Sequence, residues 1–218
     1  MSILSLFLVA TLQSHAPAAS PADKAIDAAV TAYANIKTAK ASFEQTINNP
    51  LLGSTLKSKG EFEQQRPNRF AFRFTDPKGD VIICDGKYVW VYLPASSPGR
   101  VNRAVCGGAG DAAGSLDLIG EFFTNPRDRY TIGDGGAATV GDKRAHIVQL
   151  TPKSKDADFL RAKVWIDPVT GSLVQFEAVE PNGLTRLVRI TSFTPNAPVK
   201  SSAFTFAVPK GVKVVDIK

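Results

Sequence analysis

The sequence predicts an α+β fold: one long antiparallel sheet that curls into an incompletely closed barrel, its hollow side covered by two helices. Three features point there. One stretch near the N-terminus repeats apolar residues at three- and four-residue spacing, most of the remaining chain alternates with a period of two, and turn sequences separate the alternating runs. At 218 residues the chain has room for one domain with a substantial core, and 44% hydrophobic with 21% charged residues is an ordinary globular composition. No repeat or break in composition divides it.

Ile3 to Leu12 is an apolar stretch too short to span a membrane, and Ala16-Pro17-Ala18 behind it is a small-x-small pattern suited to cleavage. No Lys or Arg precedes the run. We expect residues 1–18 to be an export signal and residues 19–218 to be the mature, soluble, periplasmic domain. Removing the signal takes away no charged residue, so the net charge stays at +6. The basic residues are dispersed in small groups such as Lys57/Lys59 and Lys153/Lys155, so the footprint of a nucleic-acid binder is missing. The two cysteines, Cys84 and Cys106, do not stand behind the apolar run, where a lipid anchor would be attached. An even count in an exported chain favours a disulfide. Against it, the two lie at the ends of strands expected to flank a third, and strands are spaced about 4.8 Å apart. A bridge and two inert thiols both stay open.

Ser20-Pro21-Ala22-Asp23 is a helix start, with Ser as the cap, Pro in the first turn and Asp at the positive end. Ile26, Ala29, Val30, Tyr33 and Ile36 form one apolar stripe, and the helix is expected to fade near Phe43 to Thr46. From Leu56 to Leu93 the period is two: Phe70, Phe72 and Phe74 share one face while Arg69 and Arg73 take the other. Asp76-Pro77-Lys78-Gly79 and Asp85-Gly86 supply turns. Along Lys87 to Leu93 both faces are apolar and both need covering. Gly107 to Gly114 is expected to be a mobile loop; no Lys-Ser/Thr follows it, so it is not a phosphate-binding turn. Ser115 then caps a second helix, apolar almost all round and ended by Asn125-Pro126. Strands are expected at Tyr130 to Ile132, His146 to Thr151, Arg161 to Asp167, Leu173 to Val179, Thr185 to Phe193 and Phe204 to Val208. The turns between them include Asp134-Gly135-Gly136, Gly141-Asp142, Asp167 to Gly171 and Pro181-Asn182-Gly183. A sheet this long twists and curls, and two helices can only partly close it.

Chemistry is sparse. His15 leaves with the signal, and His146 alternates with Val148 and Leu150 on a strand, as a structural histidine does. No cluster has the spacing of a metal site, and Glu61 and Glu63 share a strand face without an accompanying sugar platform. We expect no enzyme, metal or cofactor. What stands out is aromatic residues on strand faces: Phe62, Phe70, Phe72, Phe74, Trp90, Phe176 and Phe206.

These segments resemble the periplasmic outer-membrane lipoprotein carrier family, LolA, through nearly the whole mature chain. The motifs occur in order: Ala41-Ser42-Phe43-Glu44-Gln45 at the end of the first helix, Gly60-Glu61-Phe62, Arg66-Pro67-Asn68-Arg69-Phe70, Asp85-Gly86-Lys87 and Val89-Trp90-Val91-Tyr92. Leu150-Thr151-Pro152-Lys153, Gln175 to Glu180, Phe204-Thr205-Phe206 and Pro209-Lys210-Gly211-Val212 follow. The resemblance implies an unclosed half-barrel of about eleven strands whose apolar hollow shelters lipoprotein acyl chains under helices. It implies acylated lipoproteins as cargo, an inner-membrane ATP-binding cassette complex as donor and a LolB-like outer-membrane acceptor, with the carrier acting as a chaperone and monomer. It also implies that Arg66 bonds backbone carbonyls of a lid helix and latches the empty hollow. Cavity candidates are then the aromatic residues above together with Leu116, Leu118, Ile119, Phe122 and Phe123 of the lid. The Gly107 to Gly114 loop and the cysteines depart from the family pattern. The rival readings are a LolB-like acceptor, which would carry an anchoring Cys, a lipoprotein-sensing regulatory module of the same fold, and a hydrolase.

Overall fold

The structure, a computed structural model, describes residues 19–106 and 120–217. The expected signal, the Gly107 to Gly114 loop, the Ser115 cap and the lid candidates Leu116, Leu118 and Ile119 therefore lie outside the described residues.

Helix α1 (Pro21–Ala34) begins at Ser20, whose hydroxyl accepts from the Asp23 N–H at 3.1 Å, while the Asp23 carboxylate accepts from the Ser20 N–H and hydroxyl. This reciprocal box satisfies free donors at the helix start. Six strands follow: β1 (Thr38–Asn49), β2 (Ser54–Gln65), β3 (Arg69–Asp76), β4 (Lys78–Asp85), β5 (Tyr88–Tyr92) and β6 (Arg100–Val105). After two single-turn helices, α2 (Gly120–Phe123) and α3 (Pro126–Arg129), come β7 (Tyr130–Val140), β8 (Lys143–Pro152), β9 (Arg161–Ile166), β10 (Leu173–Val179), β11 (Thr185–Pro195) and β12 (Lys213–Asp216).

All twelve strands belong to one sheet in the order β12-β6-β5-β4-β3-β2-β1-β11-β10-β9-β8-β7. Every neighbour is antiparallel except β12, which pairs parallel with β6. β7 and β12 are not paired to each other, so the curled sheet stays open, with one strand more than expected. One contiguous core fills its hollow side beneath α1 and α2.

Three expectations are corrected. The helix does not reach Phe43 to Thr46: α1 stops at Ala34, and those residues belong to β1 between β2 and β11. Asn196 draws the chain out of the helix, accepting from the Lys37 N–H at 2.9 Å and donating to the Asn35 carbonyl at 3.1 Å. The ladders on both sides of β1 outweigh local helical spacing. Asp134-Gly135-Gly136 is not a turn but a bulge within β7, where Gly135 passes so close to Ile147 that a Cβ would sit 2.6 Å from its side chain. Phe204 to Val208 is not a strand; Ser201–Phe204 is a 3-10 turn that tucks Phe204 against the outer side of the sheet. The last strand lies further on, at β12.

Cys84, at the end of β4, and Cys106, just past β6, are joined by a disulfide across β5 with a Cα–Cα distance of 6.4 Å. The Cys106 N–H donates to the Lys87 carbonyl, one step beyond the Tyr88↔Val105 pair, which sets Cys106 beside the β4–β5 turn. The Cα separation there lies within bridging range.

Candidate functional site

The hollow side is lined from the centre of the sheet outward by phenylalanine. Phe43 of β1, Phe62 of β2, and Phe70 and Phe72 of β3 are buried, and Phe74 packs partly buried against them. Their rings interlock: Phe62 and Phe72 have centroids 4.7 Å apart, and Phe43 meets Phe72 and Phe74 edge-on at 5.6 and 5.5 Å. On the other arm Phe176 of β10 packs with Phe122 of α2 at 5.1 Å, and Phe122 with Phe159 at 5.9 Å. Phe123 is buried in the same cluster. Of the sequence-predicted cavity residues within the described chain, Phe62, Phe70, Phe72, Phe74, Phe122, Phe123 and Phe176 thus meet in one place.

Trp90 and Phe206 do not. They stack on each other at 5.5 Å on the outer side, while Val89 and Val91, alternating with Trp90, face the hollow core. The two-residue period holds, but both faces of β5 are apolar and only the curl of the sheet decides which one is inside. Sequence reasoning does not bring Phe43, Phe159 and Tyr33 to the site. Phe43 falls in a stretch expected to be helix, Phe159 lies in a loop where periodicity gives no signal, and Tyr33 stands on the helix stripe with nothing to mark a further role.

The roof is held by cations. Arg66 donates from Nη1 to the Tyr33 carbonyl at 3.1 Å and the Ile36 carbonyl at 3.2 Å, and its guanidinium lies 4.3 Å from the centroid of the Tyr33 ring. It thus clasps the C-terminal end of α1, where the carbonyls carry the helix's partial negative charge. At the other end of α1, Arg127 of α3 pairs with Asp27 and, at 3.1 Å, with Asp23. Arg129 pairs with Glu121 of α2 at 2.6 Å, and the Tyr130 hydroxyl donates to the Glu121 carboxylate at 2.8 Å. Burial and the Glu121 charge push the Tyr130 phenol well above its ordinary pKa, so it remains a donor.

Between the C-terminal half of α1, the β9–β10 turn and β11 opens an apolar cleft of about 20 Å³, lined by Tyr33, Ile36, Phe62, Phe123, Leu173 and Phe193 among others. That is room for about one water molecule. The cleft runs beside the roof and down to the phenylalanine cluster, so this closed arrangement can admit a larger apolar group only if the roof shifts. Gly171 sets how close the turn comes to the helix: a Cβ there would sit 2.4 Å from the Ala28 carbonyl.

The polar groups offer little chemistry. His146 Nε2 lies 2.8 Å from Asp134 Oδ1 across the β7–β8 pair, a contact between neighbouring strands at the bulge. Among the described residues no three His, Cys, Asp or Glu side chains gather as a metal site, and no helix is long and apolar enough to cross a membrane.

Comparison with known proteins fits this geometry. An uncharacterized conserved protein from Thermus thermophilus shares the fold with a TM-score of 0.54 at 12% identity, covering 91% of this chain and 100% of that one. The MucB crystal structure gives 0.50 at 14%, covering 85% of this chain and 62% of MucB. Among curated relatives, the outer-membrane lipoprotein carrier protein of Methylibium petroleiphilum is 29% identical over 194 residues, covering 88% of this chain and 89% of the relative. The protein of the same name from Cupriavidus taiwanensis is 28% identical over 213 residues, covering 95% and 93%. The family model described as outer membrane lipoprotein carrier protein LolA matches residues 34–99 and 137–207, more than half of the chain and both arms of the sheet. The chain therefore belongs to the LolA family of outer membrane lipoprotein carrier proteins.

Proposed function

We propose that this chain is a periplasmic carrier and chaperone that shelters the acyl chains of lipoproteins between sheet and helices and moves them from the inner to the outer membrane. The observation that carries this reading is the phenylalanine-lined hollow whose roof is not part of the sheet but is fastened to it through Arg66. Burying an acyl chain is worth about 0.8 kcal/mol per methylene, or on the order of 11 kcal/mol for roughly 14 of them. Two hydrogen bonds from a charged donor contribute about 1.5 to 3 kcal/mol each. Measured against an acyl chain left in water, a cargo chain therefore outweighs the Arg66 latch, while the latch favours closure once the cargo has left. Partners of the implied kind are an inner-membrane ATP-driven releasing complex and an outer-membrane acceptor.

The test is mass spectrometry of protein purified gently from periplasm. A bound triacylated lipoprotein, lost when acceptor membranes are added, is the expected result; protein recovered free of acylated material under conditions where lipoproteins accumulate would refute the reading.

A further inference from the structure

At one end of the half-barrel, the hairpin joining β1 and β2 carries the most exposed leucines of the described chain. Leu51 is 81% exposed and Leu52 76%, with Leu56 at 57% behind them. Pairing of β1 with β11 ends at Asn48↔Thr185, so residues 49–54 stand at the sheet's rim beside the β10–β11 turn; a Cβ at Gly183 would lie 3.5 Å from the Pro50 ring. No residue from Gln45 to Leu56 or from Pro181 to Thr185 is charged, so the two adjoining tips form one uncharged front. Two backbone donors of the tip are already satisfied: Asn49 Oδ1 accepts from the Leu51 N–H at 3.1 Å and the Leu52 N–H at 3.2 Å. Two donors that would otherwise need water are thus free to leave it.

We infer that this tip is a bilayer contact, inserting Leu51 and Leu52 into the boundary between headgroups and acyl chains of a membrane. A projecting, uncharged double tip suits a soft flat surface, and its leucines meet the apolar layer without stripping water from an ion. The nearest charges, Lys57, Lys59 and Arg186 against Glu44 and Glu180, nearly cancel, and Arg186 already pairs with Glu180 at 3.3 Å. The contact is therefore hydrophobic, indifferent to anionic lipid and to salt. It does not depend on what occupies the hollow, because neither leucine lines it.

The test uses the purified protein and vesicles of phosphatidylcholine, alone or with phosphatidylglycerol. An environment-sensitive thiol probe on Leu52→Cys should brighten severalfold with either vesicle, at low and at high salt. The same probe on Val169→Cys should not: Val169 is 90% exposed in the β9–β10 turn, at the opposite end of the strands. The double substitution Leu51→Ser/Leu52→Ser should lower vesicle co-flotation about tenfold or more, in line with losing two buried leucines, while leaving Tm and fatty-acid probe binding unchanged. Equal flotation of the double variant, no brightening at position 52, or brightening only with a protein partner and not with lipid would each overturn the inference.

Discussion

The two faces of the same strands are built from aromatic residues of different kinds. On the hollow side the rings are almost all phenylalanine, packed against one another and against helices, with no polar atom to fix them. On the outer side Tyr88 and Trp90 are tied down, and the chain that carries Phe204 is strapped on. The Trp90 indole donates to Asp85 Oδ2 at 2.9 Å, Arg103 lies over Tyr88 and Trp90 at 4.8 and 5.4 Å, and Arg73 donates to the Ala203 carbonyl at 2.8 Å. That last bond straps the chain after β11 across Ala71 and Ile83. An apolar contact without directional bonds can be exchanged for an acyl chain at little cost, whereas a hydrogen-bonded ring cannot leave without orphaning its partner. The difference separates a replaceable filling from a fixed skin.

The sharpest way to break this contrast is to truncate one ring on each side. Phe62 and Phe204 are equally buried, at 2% exposure each, so Phe62→Ala and Phe204→Ala should each cost about 3–5 kcal/mol in denaturant unfolding. Only Phe62→Ala, which enlarges the apolar cleft, should bind a fluorescent fatty acid more tightly; equal gains in both variants would end the distinction. A smaller effect is expected from Arg66→Leu, which leaves the hollow intact but removes its clasp. It should still take up acyl chains, yet transfer them to acceptor membranes severalfold more slowly, and unchanged transfer would discount the latch.

The smallest effect tests the outer face through pH. Burial works against the Asp85 charge, but the Tyr88 N–H, the Trp90 indole, the Lys87 N–H and nearby Arg69 together hold its carboxyl below the ordinary carboxylate range. A folded-state pKa below the unfolded value of about 3.9 means the charge stabilises the fold above that pH and ceases to as pH falls through the lowered value. The Tm advantage of the native protein over Asp85→Asn should therefore be constant near neutrality and vanish in acid. Fatty-acid binding should not change.

Much of the hollow is legible in the sequence because alternation reports which side chains share a face. Phe70, Phe72 and Phe74 group against Arg73 on that ground alone. Alternation is silent on which face ends up inside, and for β5, apolar on both, it cannot separate Val89 from Trp90. Nor does spacing reveal that Arg66 reaches the end of α1, since its acceptors, Tyr33 and Ile36, lie about thirty residues away along the chain and no local pattern encodes such a contact.

By itself the sequence determined the local matters: the capped start of α1, the period of the strands, most of the turns and the stock of phenylalanine. Those follow from interactions within a few residues, where backbone sterics and side-chain spacing act directly. Tertiary structure decided the early end of α1 that leaves Thr38–Asn49 to the sheet, the inward face of β5, the bridge across it, and the parallel β12 closing the β6 edge. Each of these depends on pairing between segments far apart in the chain, and there the curl of the whole sheet, not the preference of any one stretch, sets the lowest free energy.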